Sequence, residues 1–215
     1  MIPDWAAERR RMVERQLRRR GIHDPRVLDA MTRIPREEFV PAEHHVLSYQ
    51  DEPVPIGCGQ TISQPYMTAL MAQELELSGH ERVLEVGAGS GYAAAVLGAL
   101  AKSVLTVDIV PGLVSLAREN LQRTGWGGNV TVVEADGSLG YPPLAPYDAI
   151  SVAAGAPQIP PSLLNQLADP GVLVIPVGQM DDQQLRVLHK KNGQIETRIS
   201  TLCRFVPLRG GEGWS

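Results

Sequence analysis

From residue 81 onwards, short apolar runs alternate with longer segments whose apolar residues have helical spacing. The runs are nearly continuous in Val, Leu and Ile, which is typical of strands covered on both faces. Strands that alternate with helices predict parallel βαβ units, so we expect an α/β fold with a doubly wound, mostly parallel sheet. The predicted strands are residues 82–86, 103–108, 129–134, 147–152 and 171–177, and the predicted helices are 92–101, 111–124 and one that begins at Pro160.

Two further apolar runs lie near the end of the chain, on either side of a turn signal. Residues 185–190 and 195–202 flank Asn192-Gly193, and Asn-Gly between two strands is the strongest short signal for a β-hairpin. We therefore predict an antiparallel C-terminal hairpin at the edge of the mixed sheet.

The first 48 residues have a helical pattern and no predicted strand. Residues 4–20 predict a helix that Asp4 caps and Gly21 ends, and residues 25–33 predict a second helix. Seven arginines cover most of the first helix, which favours a solvated face over contact with an acidic partner, although both interpretations stay open. We expect this helical segment to pack on or near the carboxyl edge of the sheet.

Residues 49–66 have an unusual composition, with three prolines and two glycines among hydroxyl and amide side chains. This composition predicts that the segment has no regular element, and a long loop inside a compact domain is usually functional or disordered. The apolar residues Ile56, Ile62 and Tyr66 argue against disorder. After Pro65, the spacing predicts a helix to about Leu77.

Composition and charge narrow the classes of function. Of the 215 residues, 43% are hydrophobic and 20% are charged, and the net charge is −4. A chain of this length buries enough surface to fold without disulfides or metals, and its acidic balance disfavours a general nucleic-acid binder. The two cysteines, Cys58 and Cys203, and the five histidines match no metal motif. We therefore predict no metal site and no nucleic-acid partner.

The pattern of apolar residues predicts neither a leader nor a membrane span. No apolar region follows the basic run near the N-terminus, and the longest apolar stretch, residues 92–101, is too short to cross a bilayer. We therefore expect a cytoplasmic protein without membrane contact. Because the chain has no heptad repeat or long apolar edge, we also expect a monomer.

A glycine loop, Gly87-Ala-Gly-Ser-Gly91, joins the first predicted strand of the α/β pattern to its helix. Gly87 and Gly89 fit the dinucleotide-binding pattern G-x-G-x-x-G, but Tyr92 stands where the third glycine is required. Glu85 would repel a pyrophosphate bound so close to the loop. The same carboxylate would suit a ligand with a positive amino or sulfonium group.

Acidic residues also end the next two predicted strands. Asp108 follows Gly87 by 21 residues, where an acid commonly accepts hydrogen bonds from ribose hydroxyls. Asp136-Gly137 ends the third strand, although a turn or helix-capping role explains Asp136 equally well. With Glu85, these acids would meet at one edge of the sheet. The constellation predicts a site for a nucleoside with a cationic tail, which describes S-adenosylmethionine.

The chain resembles a known family along most of its length. The segment Glu85-Val-Gly-Ala-Gly-Ser-Gly91 is similar to the first motif of class I S-adenosylmethionine-dependent methyltransferases. Residues 53–65 resemble the more specific signature loop of protein-L-isoaspartate (D-aspartate) O-methyltransferases. Supporting matches lie at residues 36–41, 145–150, 173–178 and 204–208. The chain departs from the family pattern at Asp108, where Glu is commoner and Asp should still reach ribose, and at Ala88, which lacks the hydroxyl of the commoner Thr.

The resemblance implies a repair reaction on aged proteins. Asparagine deamidation and aspartate isomerisation leave isoaspartyl residues, and enzymes of this family methylate their free α-carboxylate. The ester closes to a succinimide, which hydrolyses partly to normal aspartate. Because a carboxylate is already ionised at neutral pH, the methyl transfer depends on positioning and desolvation rather than on a general base.

This hypothesis assigns residues to three groups. Ser63 is the predicted catalytic residue, which would donate a hydrogen bond to the substrate carboxylate, unless it only caps the helix after Pro65. The predicted cofactor-binding residues are Glu85, Gly87, Gly89, Gly91, Asp108, Asp136 and Gly137. The predicted substrate-binding residues are Ile56, Thr61, Ile62 and Gln64, with Phe205 and Val206 implied by the resemblance alone.

The predicted organisation is a single methyltransferase domain, residues 1–215. It comprises an N-terminal helical segment at 1–48, a substrate and active-site loop at 49–66, and a cofactor-binding α/β core at 67–215. Three alternatives stay open: a class I methyltransferase acting on a small molecule or RNA, a nicotinamide oxidoreductase, and a binding protein without activity. The acidic charge argues against RNA, Tyr92 and Glu85 argue against nicotinamide, and the intact segment 60–65 argues against lost activity.

Overall fold

The computed structural model describes residues 3–214, which are arranged around one seven-stranded sheet. The strands are β1 Val54–Gly57, β2 Gln60–Ile62, β3 Arg82–Val86, β4 Ser103–Asp108, β5 Val130–Glu134, β6 Tyr147–Val152, β7 Leu167–Gln179, β8 Asp182–Lys191 and β9 Gln194–Cys203. The α-helices are α1 Trp5–Met12, α2 Pro25–Arg33, α3 Pro65–Glu74, α4 Tyr92–Leu100, α5 Pro111–Thr124 and α6 Pro161–Gln166. β1 and β2 pair separately, and the large sheet has the order β5-β4-β3-β6-β7-β8-β9.

The parallel half of the large sheet confirms the doubly wound fold. Strands β5, β4, β3, β6 and β7 pair in parallel, and both of their faces are apolar. Within β3, Val83 belongs to a buried cluster with α4, whereas Leu84 belongs to a second cluster with Leu163 of α6. The strand order reverses between β3 and β6, and ligands of such sheets bind at this point, outside the carboxyl ends of the strands.

The antiparallel half of the sheet confirms the predicted C-terminal hairpin. β8 pairs with β7 on one side and with β9 on the other, and β9 is the edge strand. Asn192 and Gly193 connect β8 to β9 with φ angles of 52° and 74°. Two successive positive φ angles fit a tight hairpin turn, and Asn-Gly is the dipeptide that adopts them most readily.

The first predicted helix is an α-helix only in its first half. Asp4 caps α1 through a hydrogen bond from the backbone N–H of Ala7 at 3.0 Å, as predicted. Beyond α1 the chain continues as a π-helical turn over Val13–Leu17 and a 3₁₀ turn over Arg18–Arg20, and it ends at Gly21 with a positive φ. The change in winding keeps the apolar residues of this segment against the core.

The N-terminal segment reaches the carboxyl edge of the sheet only in part. α2 has the predicted bounds and packs on α3 and α4, and Arg26 donates hydrogen bonds to the carbonyl oxygens of Leu77 and Leu100, at the opposite edge. Residues 36–48 do reach the carboxyl edge, where Phe39 packs against Tyr92 at the start of α4. Within residues 3–214, no helix combines the length and apolarity that crossing a membrane requires.

The prediction that residues 49–66 lack regular structure is wrong. β1 and β2 form a short antiparallel hairpin there, with Val54 opposite Ile62, and both of these side chains are buried. The tip, residues 57–59, has three successive positive φ angles, two of them at glycines that adopt this conformation without strain. Pro55 is compatible with the hairpin because the pair has only two strands, so both strands are edges.

Candidate active site

A cavity opens where the sheet order reverses, outside the carboxyl ends of β3, β4, β5 and β6. It has about 870 Å³ of open space, which includes solvent at its mouth. The part formed by residues 86–90, 107–110, 137 and 153–154 is called the sheet wall below, and the part formed by residues 60–63 and 206–209 is called the loop wall. Thr68, Tyr92, Ala93 and Leu113 complete the lining.

The glycine loop of the sheet wall is tied to the neighbouring strand. The backbone N–H of Gly87 donates to the carbonyl oxygen of Val107 at 2.8 Å, and both Gly87 and Gly89 line the cavity. Gly91 faces away from it: a Cβ at Gly91 would lie 3.2 Å from the carbonyl oxygen of Ala117. Gly91 therefore allows α4 to pack closely on α5, and its predicted cofactor contact stays a prediction.

Asp108 ends β4 and is the acidic residue of the cavity lining. Its Oδ2 accepts a hydrogen bond from the N–H of Gly89 and its Oδ1 accepts one from the N–H of Val110, each at 3.0 Å. These bonds fix the carboxylate against the wall. Each carboxylate oxygen has a second acceptor site, so Asp108 can still accept hydrogen bonds from ribose hydroxyls, as predicted for it.

Glu85 lies behind the sheet wall and does not line the cavity. It is 1% exposed, and neither carboxylate oxygen has a hydrogen-bond partner within residues 3–214. It is flanked in the sheet by two other buried polar residues, Thr106 of β4 and Ser151 of β6. Burial raises the pKa of Glu85 to about 8; the nearby Thr106 hydroxyl opposes this rise, and the charge of Asp108 adds to it. Glu85 is therefore mostly uncharged at neutral pH, and its predicted role toward a cationic ligand stays a prediction.

Asp136 has the helix-capping position that the sequence left as an alternative. Its Oδ1 accepts hydrogen bonds from the N–H and the hydroxyl of Ser138 at 2.9 and 2.6 Å, and its Oδ2 accepts one from the N–H of Gly211 at 2.8 Å. Burial opposes ionisation, but these bonds outweigh it and lower the pKa of Asp136. The carboxylate thus anchors the C-terminal tail, whereas the next residue, Gly137, lines the cavity.

Ser63 borders the cavity directly after β2, together with Thr61 and Ile62. The alternative role of Ser63 as a cap of α3 is not observed. The N–H of Tyr66, in the first turn of α3, donates instead to Oδ1 of Asp51 at 3.1 Å. Ser63 therefore contributes to the loop wall, where its predicted contact with substrate is sterically open.

Three of the six predicted substrate-binding residues, Ile56, Gln64 and Phe205, lie outside the cavity lining. Ile56 of β1 is buried and reaches the glycine loop, where its Cδ1 lies 3.4 Å from the position of a Cβ on Gly89. Gln64 directly precedes α3. The β1–β2 hairpin therefore contacts the sheet wall through Ile56.

The C-terminal tail forms the rest of the loop wall. Gln183 of β8 binds both backbone groups of Phe205: its Oε1 accepts from the N–H at 2.8 Å, and its Nε2 donates to the carbonyl oxygen at 3.1 Å. Val206 lines the cavity, and its carbonyl oxygen accepts from the N–H of Gly155 at 2.8 Å. Val206 therefore occupies the position predicted for a substrate contact, whereas Phe205 lies just outside the lining.

Comparison with known proteins identifies the family. A family model described as Protein-L-isoaspartate(D-aspartate) O-methyltransferase matches residues 7–213, which include both walls of the cavity. The chain belongs to this methyltransferase family. The protein-L-isoaspartate O-methyltransferase of Methanoculleus marisnigri is 52% identical over 208 residues, which are 96% of this chain and 94% of that protein.

Two solved structures share the fold of this methyltransferase family member over most of its length. One protein-L-isoaspartate O-methyltransferase has a TM-score of 0.81 and 29% identity, and the match covers 94% of this chain and 66% of that one. A second, from Plasmodium falciparum, was solved in complex with S-adenosyl-L-homocysteine. It has a TM-score of 0.79 and 30% identity, with 94% of this chain and 98% of that one covered.

The methyltransferase cavity also contains residues that the sequence analysis did not assign to the site. Tyr92 is the first residue of α4. Its position directly after the glycine loop could have indicated that it lines the cavity. Ala153 and Ala154 directly follow β6, and the strand end was their signal. Thr68 is a buried polar residue one turn into α3, and Arg209 lies one residue beyond the matching segment 204–208; neither position has a local signal.

Proposed function

We propose that this chain transfers the methyl group of S-adenosylmethionine to the free α-carboxylate of L-isoaspartyl residues in damaged proteins and peptides. The observation that carries the proposal is the lining of one cavity by both the glycine loop and Ser63, in a member of this family. The methyl ester closes to a succinimide, and its hydrolysis returns part of the damaged residue to normal aspartate. The enzyme thereby begins a protein repair.

The residues present in the sheet wall fit an adenosyl sulfonium compound. Asp108 offers carboxylate oxygens at the end of β4, where ribose hydroxyls are commonly bound. Ile109, Val110 and Leu113 give the adjoining lining an apolar character that suits a purine ring. Gly87, Gly89 and Gly137 leave the backbone accessible, and Glu85 adds a buried carboxyl group behind them.

The chemistry of the reaction asks for positioning more than for proton transfer. When bound, S-adenosylmethionine supplies a methyl group on a sulfonium, which is activated for displacement. The nucleophile is a substrate carboxylate, which is ionised at neutral pH, so this chain needs no general base. Ser63 donates a hydrogen bond that orients the carboxylate, and Thr61, Ile62 and Val206 hold the substrate backbone at the mouth of the cavity. The two walls exclude water, which would otherwise solvate the carboxylate and weaken it as a nucleophile.

We also propose that the whole chain acts as one methyltransferase domain and as a cytoplasmic monomer that binds neither membranes nor nucleic acid. The net charge of −4 supports the absence of nucleic-acid binding. The free thiols of Cys58 and Cys203, of which Cys58 is exposed, support a reducing compartment. Light scattering of the purified protein tests the proposed monomer, and we expect the measured mass to equal that of one chain.

A methyl-transfer assay with matched peptides tests the proposed function. The protein is incubated with S-adenosylmethionine labelled in its methyl group and with either an isoaspartyl peptide or its aspartyl twin. The proposal predicts base-labile label on the isoaspartyl peptide alone. Equal labelling of both peptides, or labelling of neither, would contradict the proposal.

A further inference from the structure

Arg36 lies directly behind the loop wall and is absent from the roles assigned so far. It begins a 3₁₀ turn, Arg36–Phe39, and its side chain is fully buried. Its Nη2 donates a hydrogen bond to the carbonyl oxygen of Ser63 at 2.6 Å. Its guanidinium carbon lies 4.9 Å from the centre of the Tyr92 ring, within the range of cation–π contact. Arg36 therefore contacts two residues that line the cavity.

The same guanidinium also holds the other end of the hairpin segment. Its Nε donates to the carbonyl oxygen of Ser48 at 2.7 Å, so one side chain joins the residue before the segment 49–62 to the residue after it. A planar guanidinium fixes the direction of each bond that it makes. The backbone at Ser63 is thus clamped from behind, and the orientation of its side chain toward the cavity follows from that of its backbone.

Among the described residues, the guanidinium of Arg36 forms no ion pair with an acidic side chain. Within residues 3–214, no Asp or Glu oxygen lies within 4.0 Å of its guanidinium nitrogens, and Nη1 has no hydrogen-bond partner. Arg9, by contrast, pairs with Glu37 at 3.1 Å, and Asp51 is engaged by Arg20 and by the N–H of Tyr66. Burial lowers the pKa of Arg36, and the more distant charge of Asp51 offsets this only in part. A buried charge without a directly paired counter-charge is costly. Such a charge suits a site whose anion arrives with the substrate.

We propose that Arg36 is the positioning residue of the loop wall: it clamps the backbone of Ser63, and its charge favours the arrival of the anionic substrate carboxylate. The inference rests on the proposed function. Because the carboxylate loses its charge as it accepts the methyl group, a cation in direct contact would stabilise the bound substrate more than the transition state. In this structure Arg36 does not contact the substrate position directly. It lies behind Ser63 and donates hydrogen bonds to two backbone carbonyl groups, so it acts on the substrate through Ser63.

Two substitutions separate the clamp from the charge. Arg36→Met removes both and keeps an unbranched side chain, so kcat/KM for the isoaspartyl peptide should fall by about 100-fold, the scale expected when a reacting group is misplaced. Arg36→Lys keeps the charge but has a single ammonium group, which does not reproduce the two fixed bonds. It should keep KM within about threefold of wild type while kcat falls by about tenfold.

Arg26→Met is the matched control. Arg26 also ties two backbone carbonyl groups together, those of Leu77 and Leu100, but it lies far from the cavity. Its loss should lower the thermal midpoint and leave kcat, KM and the Kd of S-adenosyl-L-homocysteine unchanged per folded molecule. In the Arg36 variants, the same Kd should stay within about twofold of wild type, because Arg36 touches no residue of the sheet wall.

The comparison of these three variants decides the inference. If Arg36→Met loses only stability, as Arg26→Met does, or if Arg36→Lys restores both kcat and KM, the positioning role is wrong. If Arg36→Met gives no cooperative melting, the kinetics of Arg36→Lys decide alone: wild-type kcat contradicts the clamp, and a tenfold loss at unchanged KM supports it. Failure of the wild type to label the isoaspartyl peptide would instead contradict the proposed function itself.

Discussion

The sheet wall and the loop wall border one cavity, but different parts of the chain hold them in place. The sheet wall continues the hydrogen bonds of the parallel strands. The N–H of Gly87 donates to a backbone carbonyl oxygen of β4, that of Ala153 to one of β3, and that of Ala135 to the backbone carbonyl oxygen of Asp108. The loop wall has backbone bonds of its own, within the β1–β2 hairpin and between Gly155 and Val206. In addition, single side chains from distant segments hold its ends: Arg36 bonds to Ser63, and Gln183 bonds to Phe205, just outside the lining. We therefore expect the sheet wall to bind the cofactor as a rigid surface, and the loop wall to position the substrate.

A buried ionisable group lies behind each wall, and the two groups differ in charge. Glu85 behind the sheet wall has a pKa of about 8 and is mostly uncharged at neutral pH. Arg36 behind the loop wall is a guanidinium, whose ordinary pKa is far above neutral. At neutral pH the group behind the sheet wall is thus mostly uncharged, whereas the group behind the loop wall is a cation.

The largest expected effect is that of Ser63→Ala on the loop wall. Loss of a hydrogen-bond donor aimed at the reacting group should lower kcat by about 100-fold. The Kd of the cofactor should not change, since the sheet wall is intact. Initial rates with the isoaspartyl peptide measure the effect. Ser115→Ala, which changes an exposed serine of α5, is the control and should keep the wild-type rate. Full turnover in Ser63→Ala would leave the loop backbone as the substrate clamp.

Asp108→Asn tests the sheet wall and should have the next largest effect. Loss of the charged acceptor should weaken cofactor binding by about 2 kcal/mol, roughly 30-fold in Kd. The control is Glu134→Gln, because Glu134 lies opposite Asp108 on β5 but is exposed and outside the cavity lining. Calorimetric titration measures both variants. Equal Kd values for Asp108→Asn and wild type would rule out the ribose contact.

Glu85→Gln tests the uncharged state of the group behind the sheet wall. Because burial raises the folded-state pKa to about 8, the folded protein holds a proton that the unfolded chain releases. Because the folded state binds this proton more tightly than the unfolded state, protonation of Glu85 stabilises the fold. The stabilisation is complete at low pH and is lost as the pH rises from about 4.5 to about 8. Over this range, the free energy of unfolding of the wild type should fall relative to Glu85→Gln by about 1.4 kcal/mol per pH unit.

Denaturant titrations at pH 5, 6, 7 and 8 measure this difference. Glu119→Gln, an exposed helix substitution, is the control and should give a curve parallel to that of the wild type. A parallel curve for Glu85→Gln would mean that Glu85 is ionised in the folded protein.

The smallest effect is expected for Arg209→Ala at the rim of the loop wall. Arg209 is exposed, lines the cavity and has no ion-pair partner within residues 3–214. We expect Arg209 to pair with acidic residues that adjoin the isoaspartyl residue of a peptide. Because an exposed ion pair is weak, Arg209→Ala should lose about threefold in kcat/KM for such peptides. Peptides with neutral neighbours should be unaffected. Arg204→Ala is the control, because Arg204 already pairs with Asp181 at 2.7 Å. Equal losses for both peptides would contradict the rim contact.

The sheet wall was largely predictable from the sequence because its positions follow from local pattern. Apolar runs predict the strands, and parallel strands bring their carboxyl ends to one edge, so the pattern alone predicts that Gly87 and Asp108 lie close together. The pattern did not distinguish side chains that face the cavity from those that face the core. Gly91, Asp136 and Glu85 all lie at the predicted carboxyl edge of the sheet. However, Gly91 packs α4 on α5, Asp136 caps a 3₁₀ turn, and Glu85 is buried behind the sheet wall.

The loop wall was less predictable because long-range contacts decide its structure. The prolines of residues 49–66 led to the prediction of an irregular loop in place of the β1–β2 hairpin. The hairpin forms because Val54, Ile56 and Ile62 are buried against the rest of the molecule. Arg36 and Ser63 are 27 residues apart, and a hydrogen bond to a carbonyl group leaves no pattern in side-chain composition. The family resemblance predicts a role for Ser63, but it does not indicate what holds Ser63 in place.

The central claim is that the cofactor is bound by the sheet wall alone and that Ser63 acts on the substrate. Calorimetric titration of S-adenosyl-L-homocysteine into wild type, Ser63→Ala, Asp108→Asn and the double variant tests it most directly. We predict that Ser63→Ala stays within about twofold of the wild-type Kd, and that the double variant has the same weakened Kd as Asp108→Asn. A Kd for Ser63→Ala as weak as that for Asp108→Asn would contradict the division between the two walls.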